Sequence, residues 1–340
     1  MKIFTRYEVL ANDPLWDGFT KFVDQHTNGS FFQSGSCFQY LEGITGYLPF
    51  LLIATDDSDS IQGSLLGVFQ SNGGGIKSWL SRRLIVWGGP LVAPGIDQKA
   101  ITAELLQQLE KQASGKAIYV EFRNFFDTTS LKAAFTHQGF HYRDHLNFLV
   151  KTDTLAEVQK RVSKSRMRQI KSSLKTGATI AEATSEEEVK AFYQILQKLY
   201  REKVKKPLPA IALFIKLWQS PVAKVFVVKY EGQVVGGILC PIFNNQVIYE
   251  WYVCGEDGLI KGLHPSVLAT WAPIEYALQQ GYDHFDFMGA GRPDQDYGVR
   301  EFKARFGGKE VCYGRYEKVV NKPLYHVGKL GLRLYQSINS

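Results

Sequence analysis

The chain has 340 residues, 45% hydrophobic and 21% charged, an ordinary globular composition that is too long for one comfortable core, so two domains are expected. No apolar run approaches the ~18 residues that a membrane span needs. Charge interrupts the stretch from Met1 to Glu8 before a signal-peptide core forms, so a cytoplasmic location is expected. Hydrophobic periodicity alternates between strand and helix. The first half reads as strand 2–10, helices 14–26 and 36–45, strands 49–55, 61–70 and 83–92, helix 98–113, strand 117–123, helix 129–138 and strand 141–151. The second half opens with a helix over 154–175, in which Leu155, Val158, Val162, Ile170 and Leu174 form an apolar stripe. Strand 178–183 and helices 185–203 and 209–218 follow, then a meander of strands 223–230, 233–243 and 246–254. The turns at Glu231-Gly232 and Asn244-Asn245 suit that meander. Helix 264–280, strand 283–288, helix 297–306, strand 309–320 and a terminal helix 322–337 complete the reading.

The two halves end alike. A helix precedes Ile118-Tyr119-Val120-Glu121-Phe122, and another precedes His284-Phe285-Asp286-Phe287. Further helices then stop at Gly139 and at Gly307-Gly308, each before a strand. Phe122 and Phe287 lie 165 residues apart, and His141 and Lys309 lie 168 apart. These offsets predict tandem copies of one unit, spanning 1–150 and 151–340.

The net charge of +7 is concentrated. Eight basic residues against Asp153 and Glu157 lie between Lys151 and Lys175, and Lys198, Arg201, Lys203, Lys205 and Lys206 surround Glu202. Focused charge of this kind attracts phosphates, and the alternative is a solvated basic face. Cys37, Cys240, Cys254 and Cys312 form no C-x-x-C pair, and Gly139 breaks the spacing of His137, His141 and His145, so no metal site is expected.

Helix pair, antiparallel meander, helix, strand, helix and strand is an order that resembles the GNAT acyltransferase fold. The resemblance implies an α/β (α+β) protein of two tandem GNAT-like domains, each a mixed, mainly antiparallel sheet flanked by helices. In that fold the helix after the fourth strand points its N-terminus at the coenzyme pyrophosphate. The equivalent turn here, Gly258 to Ser266, keeps Gly262 but has His264 and Pro265 where small, donating residues are wanted. Pro265 reads better as the first residue of the next helix.

Two segments narrow the resemblance. One is the basic run Ser163 to Gly177; the other is Asp286-Phe287-Met288-Gly289, followed by Gly298-Val299-Arg300-Glu301-Phe302-Lys303-Ala304-Arg305-Phe306-Gly307-Gly308. With Phe31-Phe32-Gln33-Ser34, they resemble the FemABX family, which transfers amino acids from aminoacyl-tRNA to peptidoglycan precursors. The resemblance implies aminoacyl-tRNA as donor, no tightly bound cofactor, and tRNA and a cell-envelope precursor as partners. The helix after Phe31-Phe32-Gln33-Ser34 contains Glu42 and no Lys or Arg, unlike members that bind nucleotide sugars. An N-acyltransferase using acyl-CoA or an acyl carrier protein is the alternative, and a non-catalytic binding protein is a third reading.

Aminoacyl transfer needs alignment and stabilisation of an oxyanion more than acid–base help. Lys303 is expected in the electrostatic role, the other reading being a surface lysine between buried Phe302 and Phe306. Asp286 orients Lys303 or caps the turn that follows. Glu250 is the candidate base, and strand alternation predicts Tyr252 on the same face. Arg166 and Arg168 are the expected phosphate contacts, with Arg305 and Gly289 completing the substrate site. The basic terminal helix packs on the second domain or touches an anionic membrane.

Overall fold

A computed structural model of the chain describes residues 1–7, 13–71, 73 and 75–328. Two compact units emerge: Met1–Asp144 together with the chain from Tyr313 onwards, and His145–Cys312.

The first unit runs β1 (Lys2–Arg6), α1 (Pro14–Gln25), α2 (Gly35–Leu41), β2 (Tyr47–Thr55), β3 (Ile61–Gln70), α3 (Gly75–Ser81), β4 (Arg83–Gly88), β5 (Leu91–Val92), α4 (Gln98–Ala113), β6 (Tyr119–Asn124), α5 (Lys132–His137) and β7 (His141–Arg143). The second runs β8 (Leu146–Lys151), α6 (Leu155–Arg161), α7 (Lys164–Lys175), β9 (Thr179–Glu182), α8 (Glu186–Leu199), α9 (Ile211–Trp218), β10 (Ala223–Tyr230), β11 (Gln233–Phe243), β12 (Val247–Tyr249), β13 (Tyr252–Gly255), α10 (Pro265–Gln280), β14 (His284–Asp286), α11 (Gly298–Ala304) and β15 (Lys309–Cys312). The chain then forms β16 (Arg315–Val319), and residues 322–328 are helical. The rest of the predicted terminal helix lies outside the described residues.

The first sheet has the order β1-β2-β3-β4-β6-β16-β7 and the second β9-β10-β11-β12-β14-β8-β15, with β5 on β3 and β13 on β11. Neighbours are antiparallel except for two parallel pairs, β4 with β6 and β12 with β14. The orders are the same, so the repeat is real, but each copy's last strand completes the other sheet. β8 follows β7 in sequence and pairs with β14 and β15; β16 follows β15 and pairs with β6 and β7. The expected boundary at residue 150 therefore moves. The predicted strands 141–151 and 309–320 are each two strands belonging to different sheets. Periodicity reports an extended run, but not which partner its backbone groups find.

Each sheet buries its own core. Phe122, Phe135 and Tyr316 meet in the first, where the Phe135 and Tyr316 rings stack at 3.9 Å. The exchanged strand is thereby fixed by aromatic packing as well as by its ladder. In the second, Val158, Ile170, Ile238, Trp271, Phe285 and Phe306 share one core. The predicted helix 154–175 is broken there into α6 and α7. Val162 is extended, and the Ser163 hydroxyl accepts from the Arg166 N–H, starting a new helix.

Candidate functional site

The second unit opens where its parallel strands part. β12 and β14 pair from Val247 and His284 to Tyr249 and Asp286, and the Glu250 N–H donates once more to the Asp286 carbonyl at 2.8 Å. Trp251 then donates to Leu239, and Tyr252 pairs with Leu239, so the strand continues along β11 as β13. Glu250 and Trp251 form a bulge, which breaks the alternation. Tyr252 packs on Phe214 and Tyr200, while Glu250 meets α11, so the expected single face for Glu250 and Tyr252 does not form.

Lys303, on α11, is only 8% exposed and lies 2.8 Å from Glu250 Oε1. Its ammonium also donates to the carbonyls of Phe287 and Gly289, both at 2.8 Å. Three protons meet three acceptors, so Lys303 is saturated. The structure thus excludes a plain surface lysine, and it leaves this ammonium no spare donor for an oxyanion. Its work is to fix Glu250 and the turn after β14.

That turn is held from every side. Asp286 Oδ1 accepts from Asn147 Nδ2 at 2.7 Å and from the Met288 N–H at 2.6 Å. Asn147 Oδ1 accepts from the Gly289 N–H at 2.8 Å. Met288 is left-handed, with φ +57°, a conformation that costs a non-glycine residue energy and persists only under such restraint. Gly289 follows with φ +135°, which favours glycine.

Burial raises the Glu250 pKa against the pull of Lys303, and Asp286 adds to the rise. Burial likewise raises Asp286, opposed by its bonds to Asn147 and Met288. Glu250 Oε2 is buried with no hydrogen-bond partner. A native core satisfies nearly all such atoms, so this one is a candidate contact for an incoming donor.

A cavity of about 290 Å³ is lined by Arg166, Gln169, Asp257, His264, Ser266 and Arg305, among others. Its helix terminus is already filled. Asp257 accepts from the Ser266 N–H at 3.1 Å and from its hydroxyl. Leu263 donates to Ile260, His264 to Ser173, and Val267 and Leu268 to the His264 carbonyl, while Pro265 has no N–H. Every backbone N–H from Leu263 to Leu268 thus has an acceptor within the chain.

Arg166 is a correction to the expected phosphate contacts. It is 3% exposed, lies 4.3 and 4.7 Å over the Phe302 and Phe306 rings, and donates to Gln169 and to the Phe302 carbonyl. Burial and the neighbouring Arg305 lower its pKa to about 10. It therefore fastens α7 to α11. Arg168 and Arg305 are exposed, and Arg305 borders the cavity 4.0 Å from Glu301. In the Phe31-Phe32-Gln33-Ser34 stretch, Gln33 donates to the Gly89 carbonyl at 3.0 Å.

Sequence reasoning missed Asn147 and Asp257. Asn147 left one signal, an amide inside the apolar strand Leu146-Asn147-Phe148-Leu149-Val150. Asp257 left none, because its partner Ser266 lies nine residues away across a loop.

Residues 160–303 match the family model described as an acetyltransferase (GNAT) domain. Over 88 residues, 24% of this chain, the sequence is 30% identical to the aminoacyltransferase FemA of Staphylococcus aureus. That match spans 21% of FemA, so the chain covers about a fifth of the length of the curated relatives it matches. Among solved structures, FemX shares the fold with a TM-score of 0.70 over 96% of this chain and 99% of that one, at 15% identity. A tandem GNAT protein from the clavulanic acid biosynthesis pathway gives 0.60 over 94% and 99%, at 10% identity. L-PGS from Bacillus licheniformis gives 0.58 over 95% and 96%, at 16% identity. The fold is that of tandem GNAT proteins, and the second unit carries the matched acetyltransferase-type domain. Within that class the chain resembles the FemABX type, through FemA in sequence and FemX in fold.

Proposed function

We propose that the protein transfers an aminoacyl group from aminoacyl-tRNA to an amine of a cell-envelope precursor, using the parting of β13 and β14 as the reaction site. The observation that carries this reading is Glu250, a buried carboxylate with one oxygen fixed by Lys303 and the other unpartnered. The amine nitrogen attacks the ester carbonyl carbon and gives its proton to Glu250. The carbon–oxygen bond to the tRNA ribose breaks, and the departing hydroxyl takes that proton back. An amide and a deacylated tRNA result. Burial raises the Glu250 pKa against the pull of Lys303, which makes it the stronger proton acceptor for this step. Lys303 and Asn147 act as positioning residues.

The filled start of α10 supports an ester donor over a coenzyme, because a pyrophosphate would have to displace Asp257. A second reading, an N-acyltransferase using acyl-CoA, is favoured by the acetyltransferase description of the matched domain. Radiolabelled aminoacyl-tRNA and radiolabelled acetyl-CoA, each offered with peptidoglycan precursors and amino sugars, separate the two. Transfer from tRNA alone, lost in Glu250→Gln, is the expected result. Transfer from acetyl-CoA alone overturns the tRNA reading.

A further inference from the structure

The first unit has a cavity of its own, of about 340 Å³, at the edge where β4 and β6 begin. Its lining includes Tyr47, Leu48, Phe69, Gln70, Arg82 and Lys116, and no acidic residue. Arg82 immediately precedes β4, and Lys116 follows α4, so two chain reversals deliver two cations to one opening. Among the described residues, the Arg82 guanidinium forms no ion pair with a carboxylate.

The polar groups here point one way chemically. Lys116 donates to the Tyr7 hydroxyl at 3.1 Å, and that hydroxyl donates onward to Gln112, which fixes the lysine and leaves its other protons unused by this contact. Arg83 donates to Gln70 Oε1 at 3.0 Å, which turns the amide so that its NH₂ remains as the donor. Gly46, at φ +85°, lets the Ser71 N–H reach the Gly46 carbonyl; a Cβ there would meet the Ser71 oxygen at 2.6 Å. Gly46 and Ser71 belong to the lining, and Gln70, Arg82 and Lys116 supply its donors. Leu48, 49% exposed, and Phe69 add an apolar side, with Trp79, also 49% exposed, on neighbouring α3.

We propose that this cavity binds a phosphate group carried on an apolar body, with Arg82, Lys116 and the Gln70 amide on the phosphate and Leu48 and Phe69 against the carrier. Donor-rich lining without a carboxylate selects an anion. The adjoining exposed apolar side chains select a carrier that is itself apolar. The site is independent of the transfer reaction, since none of its residues belongs to the second unit.

The test uses the full chain. Binding of inorganic phosphate is followed by calorimetry, and sedimentation is followed with phosphatidylcholine vesicles, with and without phosphatidylglycerol. The double variant Arg82→Gln/Lys116→Gln is expected to bind phosphate at least tenfold more weakly, while Arg82→Lys/Lys116→Arg, which keeps the charge, binds as the parent does. Sedimentation that requires phosphatidylglycerol and falls in both the Gln variant and Leu48→Ser identifies a lipid headgroup as the source. Phosphate binding without sedimentation identifies a soluble phosphorylated ligand. Binding of neither probe, or binding unchanged in the Gln variant, overturns the proposal.

Discussion

Glu121 and Asp286 hold the same place in the two sheets and meet opposite fates. Each stands one residue before the repeated phenylalanine, on a strand parallel to one neighbour and antiparallel to the exchanged strand. The residues that grip them also correspond: Arg315 on β16 and Asn147 on β8 are 168 residues apart, the same offset that relates His141 to Lys309. Arg315 reaches Glu121 Oε1 at 2.6 Å and Arg123 reaches it at 2.7 Å. Burial pushes the Glu121 pKa up, but the two guanidiniums outweigh it and hold the acid at about 2. Asp286 is bonded by a neutral amide and a backbone N–H, with His284 and Lys303 acting only at a distance, so burial prevails and its pKa rises. Val86, one residue past the partner of Glu121, stands where Glu250 follows the partner of Asp286, and Phe135 stands where Lys303 does, four residues before the helix-ending glycine. The first unit keeps the geometry as a structural cluster whose acid stays ionised down to about pH 2. The second keeps two acids whose pKa burial raises. Placement of an acid is therefore not enough for chemistry; the charge of its partner decides.

The comparison breaks most sharply at Glu250. Glu250→Gln, which keeps an acceptor for Lys303, is expected to lower transfer by about 10²–10⁴ in the folded protein, and Glu121→Gln is expected to leave transfer intact in the folded protein. Equal losses in a transfer assay would sink the distinction. The pH profile sharpens it: the limb due to Glu250 rises with pH above the ordinary carboxylate range, and it disappears in Glu250→Gln.

Lys303→Met should cost about 3–5 kcal/mol, because it strands a buried carboxylate and frees two turn carbonyls, as measured by denaturant unfolding. Tyr316→Ala should cost a similar ~3–5 kcal/mol in the first unit, through the cavity left against Phe135. An unaltered unfolding midpoint for Tyr316→Ala would mean that the exchanged strand is held by its ladder alone.

Glu121 has the lowered pKa, so its stabilisation is complete above the unfolded value near 4.5 and is lost as pH falls towards about 2. The amount is roughly 3 kcal/mol, and Glu121→Gln should flatten that acid limb in melts recorded against pH. Asn147→Ala should be the mildest at about 1–3 kcal/mol, with a larger loss in transfer than in stability, since it loosens the Met288 turn. A drop in stability with no change in turnover would reduce Asn147 to a structural residue.

Much of this was legible beforehand because local chemistry wrote it. Helix α10 starts at Pro265 and ends before Gly281 at φ +74°, close to the predicted 264–280. The sequence also singled out Lys303, Glu250 and Asp286, and the fold brings them together; what it obscured was their availability. Whether Lys303 is free depends on the Phe287 and Gly289 carbonyls, and whether Arg166 faces solvent depends on Phe302 and Phe306 more than 130 residues away.

Composition and periodicity by themselves determined the α/β class, the internal repeat and the residues that carry charge, because these follow from side-chain chemistry and the 2.0 and 3.6 periods. Tertiary structure alone decided which sheet receives β8 and β16, where the bulge turns Tyr252 away from Glu250, and which acid meets arginine. Those outcomes depend on which backbone and side-chain groups find one another across long separations, and local patterning does not record that choice.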